Sequence, residues 1–217
     1  MKNYDGRKAD LKNRINSHLK KLSRQDSDFD FYSMMTQSDL IELKTVLADV
    51  NNVLTFKLTL TSAIWLCDFF DIDEYTKKNI LETIDQIKPN TKGFDIHFPE
   101  SYKVLAEVKC ISPVNNGGKF GAAQWNSILD DFHKLKNGKG NLLDTSEYYK
   151  FVFLIDLGDR TDQAITQLLK TSKGTSDKPI RANRHEVKGH ILLLTDLEKS
   201  ADLSFDKVYL KKMKLDN

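Results

Sequence analysis

Apolar residues recur along the chain in two rhythms, and the rhythm changes near residue 90. Before that point the spacing is helical. Leu40, Ile41, Leu43, Val46, Leu47 and Val50 form one apolar face, and Ser38 is placed to cap a helix running to about Val50. From Val53 to Phe70 the pattern fits two templates. Leu54, Phe56, Leu58 and Leu60 alternate as a strand would, whereas Phe56, Leu60, Ile64, Cys67 and Phe70 follow a helical stripe. The length of the run favours the helix. Asp73 is an expected N-cap for a further helix to Lys88, with Ile80, Leu81, Ile84 and Ile87 inward and Pro89 and Asn90 ending it.

Beyond residue 90 the period becomes two. Phe94–Phe98 and Val104–Ile111 are predicted strands joined by the turn-like PESYK. Gly117 and Gly118 precede a predicted helix from about Phe120 to Lys136, closed by Asn137 and Gly138. Tyr148–Leu157 and Val187–Thr195 are apolar enough for buried central strands, with a helix over 161–172 between them. The closing VYLKKMKL suits an edge strand. Together these elements predict an α/β fold: a mixed central β-sheet, with an antiparallel hairpin and further strands, flanked by helices. A helical region over 1–72 precedes a core over 73–217.

Composition narrows the class without naming a chemistry. The 217 residues are 40% hydrophobic and 29% charged, and the net charge is +2. These are the proportions of an ordinary globular protein. The polar, mixed-charge start MKNYDGRKADLKNR is unlike a secretory signal, and no apolar run reaches the ~20 residues of a membrane span. Cys67 and Cys110 sit in apolar contexts as expected free thiols, which points to a reduced, cytoplasmic setting. His185 and His190 lack zinc-ligand spacing with those cysteines.

The hairpin carries the most informative chemistry. If Phe98 pairs with Val104, then Ile96 meets Ala106, Phe94 meets Val108 and Asp95 meets Glu107. One face then holds Phe94, Ile96, Phe98, Val104, Ala106, Val108 and Cys110. The other holds Asp95, His97, Leu105, Glu107 and Lys109. Like charges directly opposite on neighbouring strands destabilise a sheet by about 0.2–1 kcal/mol. A structural ladder would set Glu against Lys instead. A divalent cation held by both acids relieves the repulsion, and Mg²⁺ takes one or two carboxylates with phosphate oxygens and water. A lysine beside such a pair can hold or deprotonate an attacking water.

Asp95 followed by Glu107-Val108-Lys109 resembles the PD-(D/E)XK nuclease motif, over roughly residues 73–195. Within that superfamily, KPNTKGFDI and AEVKC look most like a type II restriction endonuclease or a related anti-phage effector nuclease. The resemblance implies an Mg²⁺-dependent DNA endonuclease, with Mn²⁺ able to substitute, acting on double-stranded DNA as a homodimer. It implies that Asp95, Glu107 and the Val108 carbonyl bind the metal and that Lys109 positions the water. Phe94 stands where the motif usually has proline.

Some members add an acid from the preceding helix, for which Glu82 is the candidate, or a glutamine from the following helix, here Gln124. The loop SPVNNGGKFG brings Lys119 near a helix start, and the basic stretch 170–190 offers Lys173, Lys178, Arg181 and Arg184 as DNA contacts. Alternative readings on the same fold are a non-catalytic nucleic-acid-binding module, a non-specific effector nuclease, and an exonuclease or RNA-processing enzyme.

Overall fold

The computed structural model describes residues 3–24, 29–86, 93–114, 118–138, 144–170, 186–195 and 200–215. The chain divides into two compact units, residues 1–51 and 52–217. This boundary lies inside a helix and not at residue 72.

In the first unit, α1 (Tyr4–Ser23) and α2 (Phe31–Met34) are tied by side chains. Asp30 caps α2 by accepting from the Ser33 N–H, and Asn16 donates to Asp30 at 2.8 Å while accepting from the Tyr32 N–H. The two helices expected on either side of residue 51 are one continuous α3, Gln37–Phe69. Nothing in 51–53 breaks a helix, since neither glycine nor proline is present. Thr36 starts α3 in place of Ser38. Its hydroxyl accepts from the Asp39 N–H, and the Asp39 carboxylate accepts from the Thr36 N–H at 2.7 Å, a reciprocal cap. α4 (Glu74–Asp85) begins as expected, with Asp73 accepting from the Thr76 N–H. It ends at Asp85 with Gln86 as its C-cap, short of the expected Lys88, and Pro89 and Asn90 lie outside the described residues.

The second unit, which also contains α4 and the second half of α3, is built on a five-stranded mixed sheet of order β1-β2-β3-β5-β4. β1 (Ile96–His97) runs antiparallel to β2 (Val104–Lys109), in the inferred register: Ile96 faces Ala106 and His97 faces Leu105. The Phe98 N–H closes the hairpin on the Val104 carbonyl. β3 (Tyr149–Ile155) is parallel to both β2 and β5 (Val208–Met213), and β4 (Ile191–Leu193) is parallel to β5.

Two predicted strand positions are exchanged. The C-terminal segment is an interior strand, while the apolar run 187–195 is a single turn of 3₁₀ helix followed by the short edge strand β4. Leu192 and Leu193 are accordingly exposed on that edge. Apolar content alone does not reveal which strand a later segment will pair with.

Each sheet face has its own core. On one, Ile96, Ala106, Val108, Phe151, Phe153 and Tyr209 pack against the second half of α3 and against Ile80 and Ile84 of α4. Trp65, Phe69, Phe70, Phe151 and Phe153 form an aromatic network with centroid separations between 4.6 and 6.4 Å. On the other, Leu105, Val152, Leu154, Val208 and Leu210 meet α5 (Ala122–Asn137) and α6 (Asp159–Leu169). Phe94 packs against this second core, not the first. It precedes β1, so the alternation inferred for 94–98 does not reach it.

Candidate active site

Glu107 and Lys109 belong to the sheet face covered by α5 and α6, because they share the parity of Leu105 along β2, while Asp95 lies just before β1 and close enough to Glu107 for the two carboxylates to act on each other. Their surroundings differ sharply. Glu107 is 5% exposed at the middle of the hairpin, whereas Asp95 is exposed just before β1. Asp95 is nevertheless anchored, because its Oδ2 accepts from the Val108 N–H at 2.7 Å. The carboxylate thus bonds β2 where the β1 backbone stops, and the acid lies close enough to Glu107 for the two side chains to interact.

Glu107 is held in an environment hostile to its charge. Burial, then the neighbouring Asp95 and Asp131 carboxylates, push its pKa up to about 8, and Lys134 offsets this only in part. Its Oε1 is buried and makes no hydrogen bond among the described residues. A buried, unsatisfied carboxylate oxygen in a native fold calls for an explanation, and an ion held at that oxygen is one. The pair therefore fits a cation. Among the described residues no three His, Cys, Asp or Glu side chains converge as a metal cluster. A magnesium site of the expected type needs only one or two carboxylates, with the remaining positions left to water and phosphate.

Lys109 ends β2, and its ammonium lies 2.8 Å from Asp131 Oδ2. Asp131 was not among the candidates from sequence. It is 1% exposed, and its Oδ1 also accepts from Lys134 Nζ at 3.0 Å. Burial lowers the Lys134 pKa, but the Asp131 hydrogen bond and the surrounding carboxylates outweigh it and raise the group above its ordinary value. A signal for Asp131 was present. Ile128, Leu129, Phe132 and Leu135 are the buried stripe of α5, and an acid at 131 interrupts that stripe.

Other candidates are placed elsewhere. Glu82 is an exposed residue of α4, 3.8 Å from Lys78, and the buried residues of α4 pack on the opposite sheet face. It is not brought to Asp95 and Glu107. Gln124 serves the backbone around it. Its Oε1 accepts from the Gly121 N–H at 2.9 Å and its Nε2 donates to the Ser112 carbonyl at 2.8 Å. It therefore fixes the start of α5 to the loop leaving β2. Arg160 holds the same loop through the Pro113 carbonyl. Gly118 has φ +62, and a Cβ there would lie 3.0 Å from Gln163 Cβ and 3.1 Å from the Arg160 carbonyl, so both its backbone conformation and the close approach of α6 favour glycine.

Lys119 is exposed beyond that contact, while Lys173, Lys178, Arg181 and Arg184 lie outside the described residues. His97 is exposed at the hairpin, its ring 5.9 Å from that of Tyr148. Cys67 and Cys110 are free thiols, and burial pushes Cys67 up to about 11, away from reactivity at neutral pH. No helix among the described residues is long and apolar enough to cross a membrane.

Comparison with known proteins gives no match to this chain among protein-family models, curated proteins or solved structures.

Proposed function

We propose that this chain is a Mg²⁺-dependent DNA endonuclease of PD-(D/E)XK type, with a restriction-endonuclease-like core. The observation that carries the reading is the buried Glu107, with an oxygen left unbonded, beside Asp95 and two residues from Lys109 on one sheet face. A retired scaffold would gain stability by losing one of the two acids, so the retained repulsion favours catalysis over a binding-only role.

Asp95 and Glu107 would hold the metal, together with the Val108 carbonyl at the same strand position. When bound, the ion supplies positive charge at the scissile phosphate and acidifies water in its shell. Lys109 orients the attacking water and offsets charge as it builds on the phosphate oxygens. The Val108 N–H keeps one Asp95 oxygen fixed, which sets the direction of the other. The substrate is double-stranded DNA, and a homodimer with two such sites would cut both strands.

The test is incubation of the protein with plasmid DNA and Mg²⁺, beside EDTA and Lys109→Ala controls, followed by sequencing of the ends. Metal-dependent cleavage abolished in Lys109→Ala is expected. Unique ends identify a restriction enzyme and scattered ends an effector nuclease. DNA binding without cleavage under any divalent metal would leave the non-catalytic reading in its place.

A further inference from the structure

One cationic partner balances the charge of a buried carboxylate, and Asp131 has two within ion-pair distance. Lys109 Nζ stands 2.8 Å from Oδ2, and Lys134 Nζ donates to Oδ1 at 3.0 Å. The acid is almost wholly enclosed, but both lysines reach solvent, with side chains 24% and 40% exposed. Here the carboxylate lies inside, and the cluster reaches the hairpin, since Asp131 and Lys134 both act on the charge of Glu107.

Lys134 is near enough to Glu107 for the two charges to act on each other. An ammonium group has three donors, so the bond to Asp131 leaves capacity for phosphate oxygens. Lysine stems are flexible, and fixing both on one rigid helical acid removes freedom that substrate binding would otherwise have to remove.

We propose that Asp131 is a positioning residue of this site, holding Lys109 toward the acids and presenting Lys134 as a further contact to a phosphate of the DNA backbone. This rests on the nuclease reading. Asp131 touches no reacting atom itself and acts through the two lysines.

The experiment uses the full chain, a fluorescent DNA duplex for binding in EDTA, and plasmid cleavage in Mg²⁺ for kinetics. Lys134→Ala is expected to raise KM and to flatten the slope of log affinity against log salt by about 0.9, the loss of one phosphate contact. Asp131→Asn is expected to lower kcat about tenfold or more with a smaller change in KM, and Asp131→Glu to restore part of it. An unchanged salt slope in Lys134→Ala overturns the inference, as does wild-type kcat in Asp131→Asn. Should Asp131→Asn fail to fold by circular dichroism, the Lys134→Ala slope decides. A wild-type protein that neither binds nor cuts DNA removes the nuclease reading and this inference with it. A wild-type protein that cuts, with both variants matching it, removes the inference alone.

Discussion

The two faces of one sheet bury charge in different ways: toward α3 a buried lysine of the sheet, Lys211, lies over the Trp65 ring at 4.5 Å, while the other face gathers acids and lysines together. Against α3 and α4 the strands present Phe151, Phe153 and Tyr209 in a core stiffened by stacked and edge-on rings. Against α5 and α6 the same strands mix apolar residues with Glu107 and Lys109, which lie near Asp131, and with Lys150, which donates to the Phe205 carbonyl. Burying charge is unfavourable unless each group finds a partner. A protein can sustain that on one face when the other supplies ample apolar burial. The strand pleat makes the division possible, since neighbouring residues on β2 answer to different cores.

The sharpest way to separate the faces is to neutralise one acid. Glu107→Gln is expected to lower DNA cleavage by about 10²–10⁴-fold, the range for groups acting at the reacting centre, while its melting temperature in EDTA holds or rises. Loss of folding in that variant would mean the acid is structural.

The mirror experiment is Phe151→Ala, which should destabilise the protein by about 3–5 kcal/mol in urea unfolding. Cleavage per folded molecule should stay near wild type, because the ring packs on the face away from the acids. A drop in kcat without a drop in stability would show that the faces are not separable.

A graded effect of pH comes next. The unfolded chain ionises Glu107 near 4.5, whereas the folded protein keeps its proton up to about 8. Between these values the folded state binds more protons, so metal-free stability falls as pH rises through that window. Thermal melts in EDTA from pH 4 to 9 measure this; Glu107→Gln should flatten this contribution, and Mg²⁺ should counter it at the alkaline end.

The smallest effect is expected at Gln124→Ala, about 1 kcal/mol of stability from the lost helix-start bonds. Activity should fall only as far as the β2–α5 loop loosens. A loss of cleavage as large as that of Glu107→Gln would place Gln124 in the chemistry after all.

Much of the hairpin was legible in the sequence because its information is local. A slip of one residue between β1 and β2 would turn Ile96, Ala106 and Val108 out of their core, so alternation alone determines the register. Asp73 could be assigned because a cap acts within one turn. Strand order could not be read in the same way. β5 lies between β3 and β4 because it pairs with β3 across more than fifty residues, and the sequence of a strand does not encode its neighbour. Lys150 shows the same limit: the apolar run around it predicts a buried strand, but not that the lysine itself is 1% exposed and donates to the Phe205 carbonyl. Burial pulls it down to about 8.

The bond from the Val108 N–H to Asp95 Oδ2 turns one backbone amide into a resident probe. Every change at the acid, whether protonation, ion binding or replacement, alters the acceptor that this single proton senses. Its NMR resonance would titrate with occupancy of the site, with no label and no substrate. Asp95→Asn would keep an acceptor there and lose the charge, whereas Asp95→Ala would release the amide to exchange with solvent. One backbone signal can thus distinguish an empty site from a filled one and from a broken one.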